Sequence, residues 1–255
     1  MKWRFINSGF HTGEINMQFD IALAKSLLDN EAVLRLYRWK PFCISLGANQ
    51  SINDIDEKKA TADGYDIVKR PTGGRAILHA EELTYSVVYP ASGELTPRQL
   101  YSEINKAIKK GLSFFNYDLS EIELENEQPH FPSFYKEEKS TLCFTAAAKN
   151  ELNFNMKKLV GSAQRKMNRS LLQHGSILCG RKHLEIINYL NIPENVLEEL
   201  KNEIENTTTD IGSITGREVD YEFLSEAIKS GFEEHFKILF ESSVVSRKND
   251  FTIQD

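Results

Sequence analysis

Cys143 stands in the run Ser140-Thr-Leu-Cys-Phe144, and Lys158 opens a second run, Lys158-Leu-Val-Gly-Ser-Ala-Gln164. A thiol and an amine are the pair that acyl transfer needs. A nearby ammonium favours thiolate over thiol, and the thiolate is the form that attacks a thioester. A hairpin over residues 151–160 could bring the two together. Each also has a plainer reading: a lone cysteine is more often buried and inert, and a hairpin lysine is more often solvated.

A second group of candidates lies in Lys69–Tyr85, KRPTGGRAILHAEELTY. Gly73 and Gly74 fall between two strand-like runs and are flanked by Arg70 and Arg75. Such a turn lets a ligand approach bare backbone N–H groups while guanidiniums supply charge. Gly161, Ser162 and Ala163 repeat that small-residue character, with Gln164 following. His79 and Gln164 are candidate orienting groups, although a lone histidine such as His79 or His174 is more often a hydrogen-bonded structural residue. No GxxxxGK[ST] loop exists, no Ser-His-Asp order stands out, and Cys43, Cys143 and Cys179 form no metal-ligand spacing. No metal is expected.

The elements that must position these residues follow from periodicity and turn chemistry. Trp3, Phe5 and Ile6 read as a first strand. Met17, Ile21, Ala24 and Leu28 recur at helical spacing over 16–28. Strands are expected over 33–37 and 42–46, and a short helix over 55–63. Leu83, Tyr85, Val87 and Tyr89 alternate as a half-buried strand. Thr96-Pro97 starts a helix, with the hydroxyl as N-cap and proline at the first helical position. Residues 121–139 read as a mobile surface excursion. A tight turn at Asn155-Met156 joins two strands, and a further strand covers 173–178. From 184 onward the chain turns helical, with helices over 196–204 and 221–236, the latter capped by Asp220. The expected fold class is α/β (α+β), a mixed-sheet core. Residues 1–183 are read as a catalytic domain and 184–255 as a small, mainly helical C-terminal appendage.

Bulk properties are ordinary for a soluble globular protein. The chain has 255 residues, of which 40% are hydrophobic and 27% charged. A net charge of −6 argues against general nucleic-acid binding. No apolar run reaches the roughly 20 residues needed to span a bilayer, so no membrane partner is expected. An odd number of scattered cysteines suits a reducing, cytoplasmic setting.

Four segments in register resemble the biotin/lipoate protein ligase family: Arg70-Pro-Thr-Gly-Gly-Arg-Ala-Ile-Leu-His79, Glu82-Leu-Thr-Tyr-Ser86, Leu159-Val-Gly-Ser-Ala-Gln164 and Leu172-Gln-His-Gly-Ser-Ile-Leu178. The opening Trp-Arg-Phe-Ile-Asn-Ser-Gly and Leu34–Trp39 extend the similarity over roughly 1–180. Within the family the chain is most similar to the octanoyltransferases that use a cysteine nucleophile. The resemblance implies a class II synthetase-like fold, with Cys143 and Lys158 in the catalytic roles. It implies substrate contacts from Arg70, Gly73, Gly74, Arg75, His79, Gly161, Ser162, Ala163, Gln164 and His174. It also implies octanoyl-acyl carrier protein as donor and a lysine of a lipoyl domain or glycine-cleavage H protein as acceptor. No cofactor is required on that reading, and a monomer is expected.

The chain departs from the family pattern in having Lys69-Arg70 for two arginines, Ala80 after the histidine, and Ala147-Ala148-Lys149-Asn150 after the cysteine. Lys149-Asn150-Glu151-Leu152 echoes the ATP-dependent lipoate ligases, which would need ATP and Mg and could dispense with Cys143. A non-catalytic protein that binds lipoyl domains or acyl groups is the third reading.

Overall fold

The computed structural model describes residues 1–124 and 151–240. Cys143, the segment that follows it, and most of the expected excursion over 121–139 lie outside the described residues.

Among the described residues ten strands form two sheets. The large sheet contains β1 (Lys2–His11), β2 (Glu31–Trp39), β6 (Glu82–Pro90), β10 (Ser170–Leu178), β9 (Lys157–Met167), β8 (Leu152–Phe154) and β7 (Glu123–Leu124), in that spatial order. In this sheet β1 and β2 run parallel, joined by helix α1 (Gly13–Ser26), and the other pairings are antiparallel. The small sheet has the order β4 (Asp66–Lys69), β3 (Cys43–Leu46), β5 (Ile77–His79).

Period-two alternation divides the large sheet into two faces. Directly paired residues share a face, so Tyr37, Thr84, Ser176 and Gly161 lie on one side. Leu36, Tyr85, Gly175 and Ser162 lie on the other. The second face is covered by α3 (Pro97–Phe115) and α6 (Tyr221–Phe236). Leu100, Ile104, Ile108 and Leu112 of α3 and Leu224, Ile228 and Phe232 of α6 join Leu36, Tyr85 and Val87 in one core. The first face packs against α1 through Leu23 and Ala24, which meet Val33, Val88 and Leu172.

Double coverage corrects one expectation. β6 reads as half-buried, yet all nine of its residues are buried. Its polar members Glu82, Thr84 and Ser86 therefore face protein rather than water, and each must find a partner there.

Local signals account for several boundaries. Thr96 and Gln99 form a reciprocal capping box ahead of Pro97. Asn155 and Met156 both have positive φ, the conformation a two-residue hairpin turn requires. α4 (Glu194–Thr207) and α5 (Ile211–Thr215) precede α6, whose N-cap is Asp220. Among the described residues no helix is long and apolar enough to cross a membrane.

Candidate active site

The two sheets meet along a seam, and a narrow pocket of about 20 Å³ opens there. Ser45, Arg70, Ile77 and His79 line it from the small sheet and its loop, while Met17 lines it from α1. Tyr37, Trp39, Thr84, Gly161–Ala163 and His174–Ser176 line it from the large sheet. Six residues singled out from sequence thus converge: Arg70, His79, Gly161, Ser162, Ala163 and His174.

Arg70 builds the loop rather than decorating it. Its Nη1 donates to the Ser45 carbonyl (2.9 Å) and to Ser45 Oγ (3.0 Å). Its Nη2 donates to the carbonyls of Arg75 (2.7 Å) and Gly73 (3.1 Å), and Nε also reaches Gly73 O (3.2 Å). A guanidinium has five N–H donors in a fixed fork, so one buried side chain sets the curvature of residues 70–75. Gly74, at φ +97°, lies in the left-handed region that favours glycine. Its carbonyl packs so closely on Gly47 that a Cβ at 47 would collide with it. Gly73 is exposed, while Gly74 and Arg75 are half-buried; these three shape the loop beside the pocket and do not line it.

Gly175 makes the opposite wall thin. A Cβ there would collide with the Gly161 carbonyl and press on the Tyr85 ring. On that side the Tyr85 hydroxyl meets Ser162 Oγ at 2.6 Å and accepts from Gln173 Nε2 at 3.0 Å. Gln164 does not line the pocket; its amide donates to Gln173 Oε1 and to the Pro97 carbonyl.

Histidine and carboxylate networks lie beneath the pocket. Glu82 Oε1 accepts from His79 Nδ1 (2.8 Å), Ser176 Oγ (2.9 Å) and Thr84 Oγ1. His79 Nε2 faces Ser45 Oγ at 2.7 Å, and the imidazole stacks on Trp39 at 4.2 Å. Burial pushes the Glu82 carboxyl up, but its donors outweigh that and hold it below the usual range.

The second network centres on Asp20. It accepts from Arg35 Nη1 (2.8 Å), Ser86 Oγ (2.7 Å) and Tyr37 OH (3.1 Å), and His174 Nδ1 lies 3.5 Å away. Burial again raises the carboxyl, and His174, Arg35 and Ser86 together bring it below its ordinary value. Burial lowers His174, with Arg70 and His79 adding to the effect against the pull of Asp20.

Lys158 is buried in β9 and pairs with buried Glu151, Nζ to Oε2 at 2.9 Å. It does not line the seam pocket. Cys143 lies outside the described residues, so its distance from Lys158 is not among these contacts. The described cysteines are both buried, and burial pushes the thiols of Cys43 and Cys179 well up. Among the described residues no group of His, Cys, Asp and Glu is placed to hold a metal ion.

Sequence reasoning missed Asp20, Ser45, Thr72, Glu82 and Ser176. One signal was available. Asn16 and Asp20 fall on the apolar face of α1, and Thr84, Ser86 and Ser176 occupy strand positions that must turn inward. Buried polar residues in such places demand partners.

The model of the lipoyl protein ligase A/B catalytic domain matches residues 12–233. The octanoyltransferase LipM of Clostridioides difficile (strain 630) is 33% identical over 249 residues, covering 94% of this chain and 89% of that protein. The octanoyltransferase LipM of Geobacillus kaustophilus (strain HTA426) is 33% identical over 248 residues, with coverage of 94% and 88%. Among solved structures, lipoate-protein ligase A bound with ATP superposes with a TM-score of 0.73 at 19% identity, over 94% of this chain and 88% of that one. Ta0514 from T. acidophilum, a putative lipoate protein ligase with bound lipoic acid, gives 0.72 at 19% identity with the same coverage.

Proposed function

Because the chain belongs to the lipoyl protein ligase A/B catalytic domain family, we propose that it is an octanoyltransferase of protein lipoylation working through a Cys143 thioester. Octanoyl-acyl carrier protein is the donor, and a lysine of a lipoyl domain or glycine-cleavage H protein is the acceptor. Relatives at 33% identity, matched over nearly 90% of their length, carry the octanoyltransferase name, and the family-like segments meet at the seam pocket.

The Cys143 thiolate attacks the thioester carbonyl. A new C–S bond forms, the old one breaks, and the carrier leaves as a thiol after taking a proton. One thioester replaces another, so the exchange is close to isoenergetic and needs no ATP. The acceptor lysine, as a neutral amine, then attacks the acyl-enzyme. A C–N bond forms, the C–S bond breaks, and the amine proton returns to sulfur. Lys158, anchored by Glu151, is the cation that favours thiolate and carries protons between steps.

The acyl tail would occupy the seam between Met17, Trp39 and Ile77 on one side and Gly161–Ala163 on the other. At about 0.8 kcal/mol per buried CH₂, an eight-carbon chain supplies several kcal/mol of binding. The single observation carrying this reading is the convergence of the Arg70–His79, Gly161–Ala163 and His174–Ser176 segments on one slot.

The test is transfer from octanoyl-carrier to a purified lipoyl domain without nucleotide. Wild type should turn over, while Cys143→Ala should lose activity and Lys158→Ala most of it. Strict dependence on ATP and Mg with an active Cys143→Ala enzyme would establish the ligase reading instead.

A further inference from the structure

Two histidines cross the seam between the sheets, and each faces a carboxylate at Nδ1 and a hydroxyl at Nε2. His79 belongs to β5 of the small sheet, yet its Nδ1 reaches Glu82 of the large one. His174 belongs to β10 of the large sheet, yet its Nε2 reaches Thr72 Oγ1, in the loop beyond β4, at 2.6 Å. Both run in the same order, from carboxylate to Nδ1 and from Nε2 to hydroxyl.

Donor bookkeeping sets the direction of the first chain. Arg70 can only donate, so Ser45 Oγ accepts from it and has its own proton to give. The acceptor-only carboxylate of Glu82 places a ring proton on His79 Nδ1, and in the neutral imidazole Nε2 is then the acceptor for the Ser45 proton. In the second chain Asp20 faces His174 Nδ1, and in the neutral imidazole Nε2 accepts from the Thr72 hydroxyl.

We propose that Asp20 and Glu82 are positioning residues that act through His174 and His79 to hold Thr72 and Ser45, and with them the 70–75 loop, at a fixed distance from the large sheet. The two imidazoles are struts, and they set the width of the slot that the octanoyl chain enters. The selectivity half of this inference rests on the acyl-transfer reading above; the strut geometry does not.

The order Ser45–His79–Glu82 also has the connectivity of a nucleophilic serine and its relay. Two features assign it to holding. Ser45 is fully buried, and its oxygen already accepts from Arg70.

The experiment uses the full-length protein with ¹⁵N-labelled histidine. At pH 7.5 the two ring signals of His79 and of His174 should each show Nδ1 protonated and Nε2 bare. Thr72→Val should move the His174 Nε2 signal alone, and Ser45→Ala that of His79 alone. In acyl transfer, Thr72→Val should lower kcat about tenfold or more, as a displaced reacting group does. It should also narrow the preference for octanoyl over decanoyl donors, and Thr72→Ser should restore both. A proton on Nε2 of either ring overturns the proposal, and so does unchanged chain-length preference in Thr72→Val. Labelling of Ser45 by a fluorophosphonate would overturn it in favour of a nucleophilic serine. Correct tautomers without ATP-independent transfer would refute the proposed reaction and leave the struts standing.

Discussion

Removal of the Asp20 carboxylate is a severe test of the buried ionic core. Arg35 and Asp20 are both fully buried and meet at 2.8 Å. The guanidinium also donates to Ser8 Oγ (2.9 Å), Asn16 Oδ1 (2.6 Å) and the Asn16 carbonyl (3.1 Å). It lies between the rings of Phe19, at 4.2 Å, and Tyr37, at 3.9 Å. Asp20→Ala keeps that cation out of water while deleting its only ionised partner among the described residues. Breaking a buried pair by removing one member costs about 3–5 kcal/mol. For a chain of this size each kcal/mol lowers Tm by about 2–4 °C, so a fall of roughly 6–20 °C is expected.

The assay is thermal and urea unfolding of wild type, Asp20→Ala, Arg35→Met and the double variant. The double variant should be less destabilised than the sum of the singles, because each single strands a charge that the double removes. Acid adds a second axis. The folded carboxyl of Asp20 sits below its unfolded value of about 3.9, so its contribution is complete above that pH and is lost as pH falls through the folded pKa. His174 is also lowered, from an unfolded value near 6.5, so the chain loses stability as pH drops below about 6.5 toward the folded pKa. Wild type should therefore weaken in two stages on acidification, and Asp20→Ala should weaken less in the lower one, where Glu82 still contributes. Additive singles with a Tm drop under about 2 °C each would refute the reasoning.

Other positions give sharper local outcomes. Gly175→Ala should destabilise by about 1–3 kcal/mol through overpacking against Gly161 and Tyr85, measured by urea unfolding, and should weaken octanoyl-donor use more than stability alone explains. Thr96→Ala removes the capping box of α3 and should cost about 1 kcal/mol in the same assay, with no change in transfer rate per folded molecule. Arg165, Lys166 and Arg169 are exposed on the β9–β10 hairpin beside the pocket. Charge reversal at Lys166 and Arg169 should raise KM for an acidic carrier several-fold at low salt and much less at high salt; equal KM values at low salt would remove this hairpin from docking.

Elements with local chemistry were legible in the sequence, and those settled by distant partners were not. Asp220, Thr96-Pro97 and Asn155-Met156 each carry their own capping or turn signal, and the elements they bound form where expected. α1 starts earlier than its apolar spacing predicts, at Gly13, because Thr12 caps it. β9 runs on through Gln164, Arg165 and Lys166 to Met167. That polar stretch gives no strand signal by itself and is held by pairing with β10. In the site, the glycine and histidine segments were legible from residue type and from family resemblance. Ser45, Thr72, Glu82 and Asp20 were not, since each matters through a partner many residues away: Glu82 through Ser176, Asp20 through Ser86, and Thr72 through His174. A polar residue on an apolar face announces that a partner exists without saying which one.

Intact mass of the protein after brief exposure to octanoyl-carrier, with no nucleotide present, tests the central claim most directly. The account predicts one added octanoyl group, mapped to Cys143, that disappears when a lipoyl domain is supplied and reappears on that domain's lysine. An unmodified chain that octanoylates the domain only when ATP is added, and does so equally well as Cys143→Ala, would contradict it.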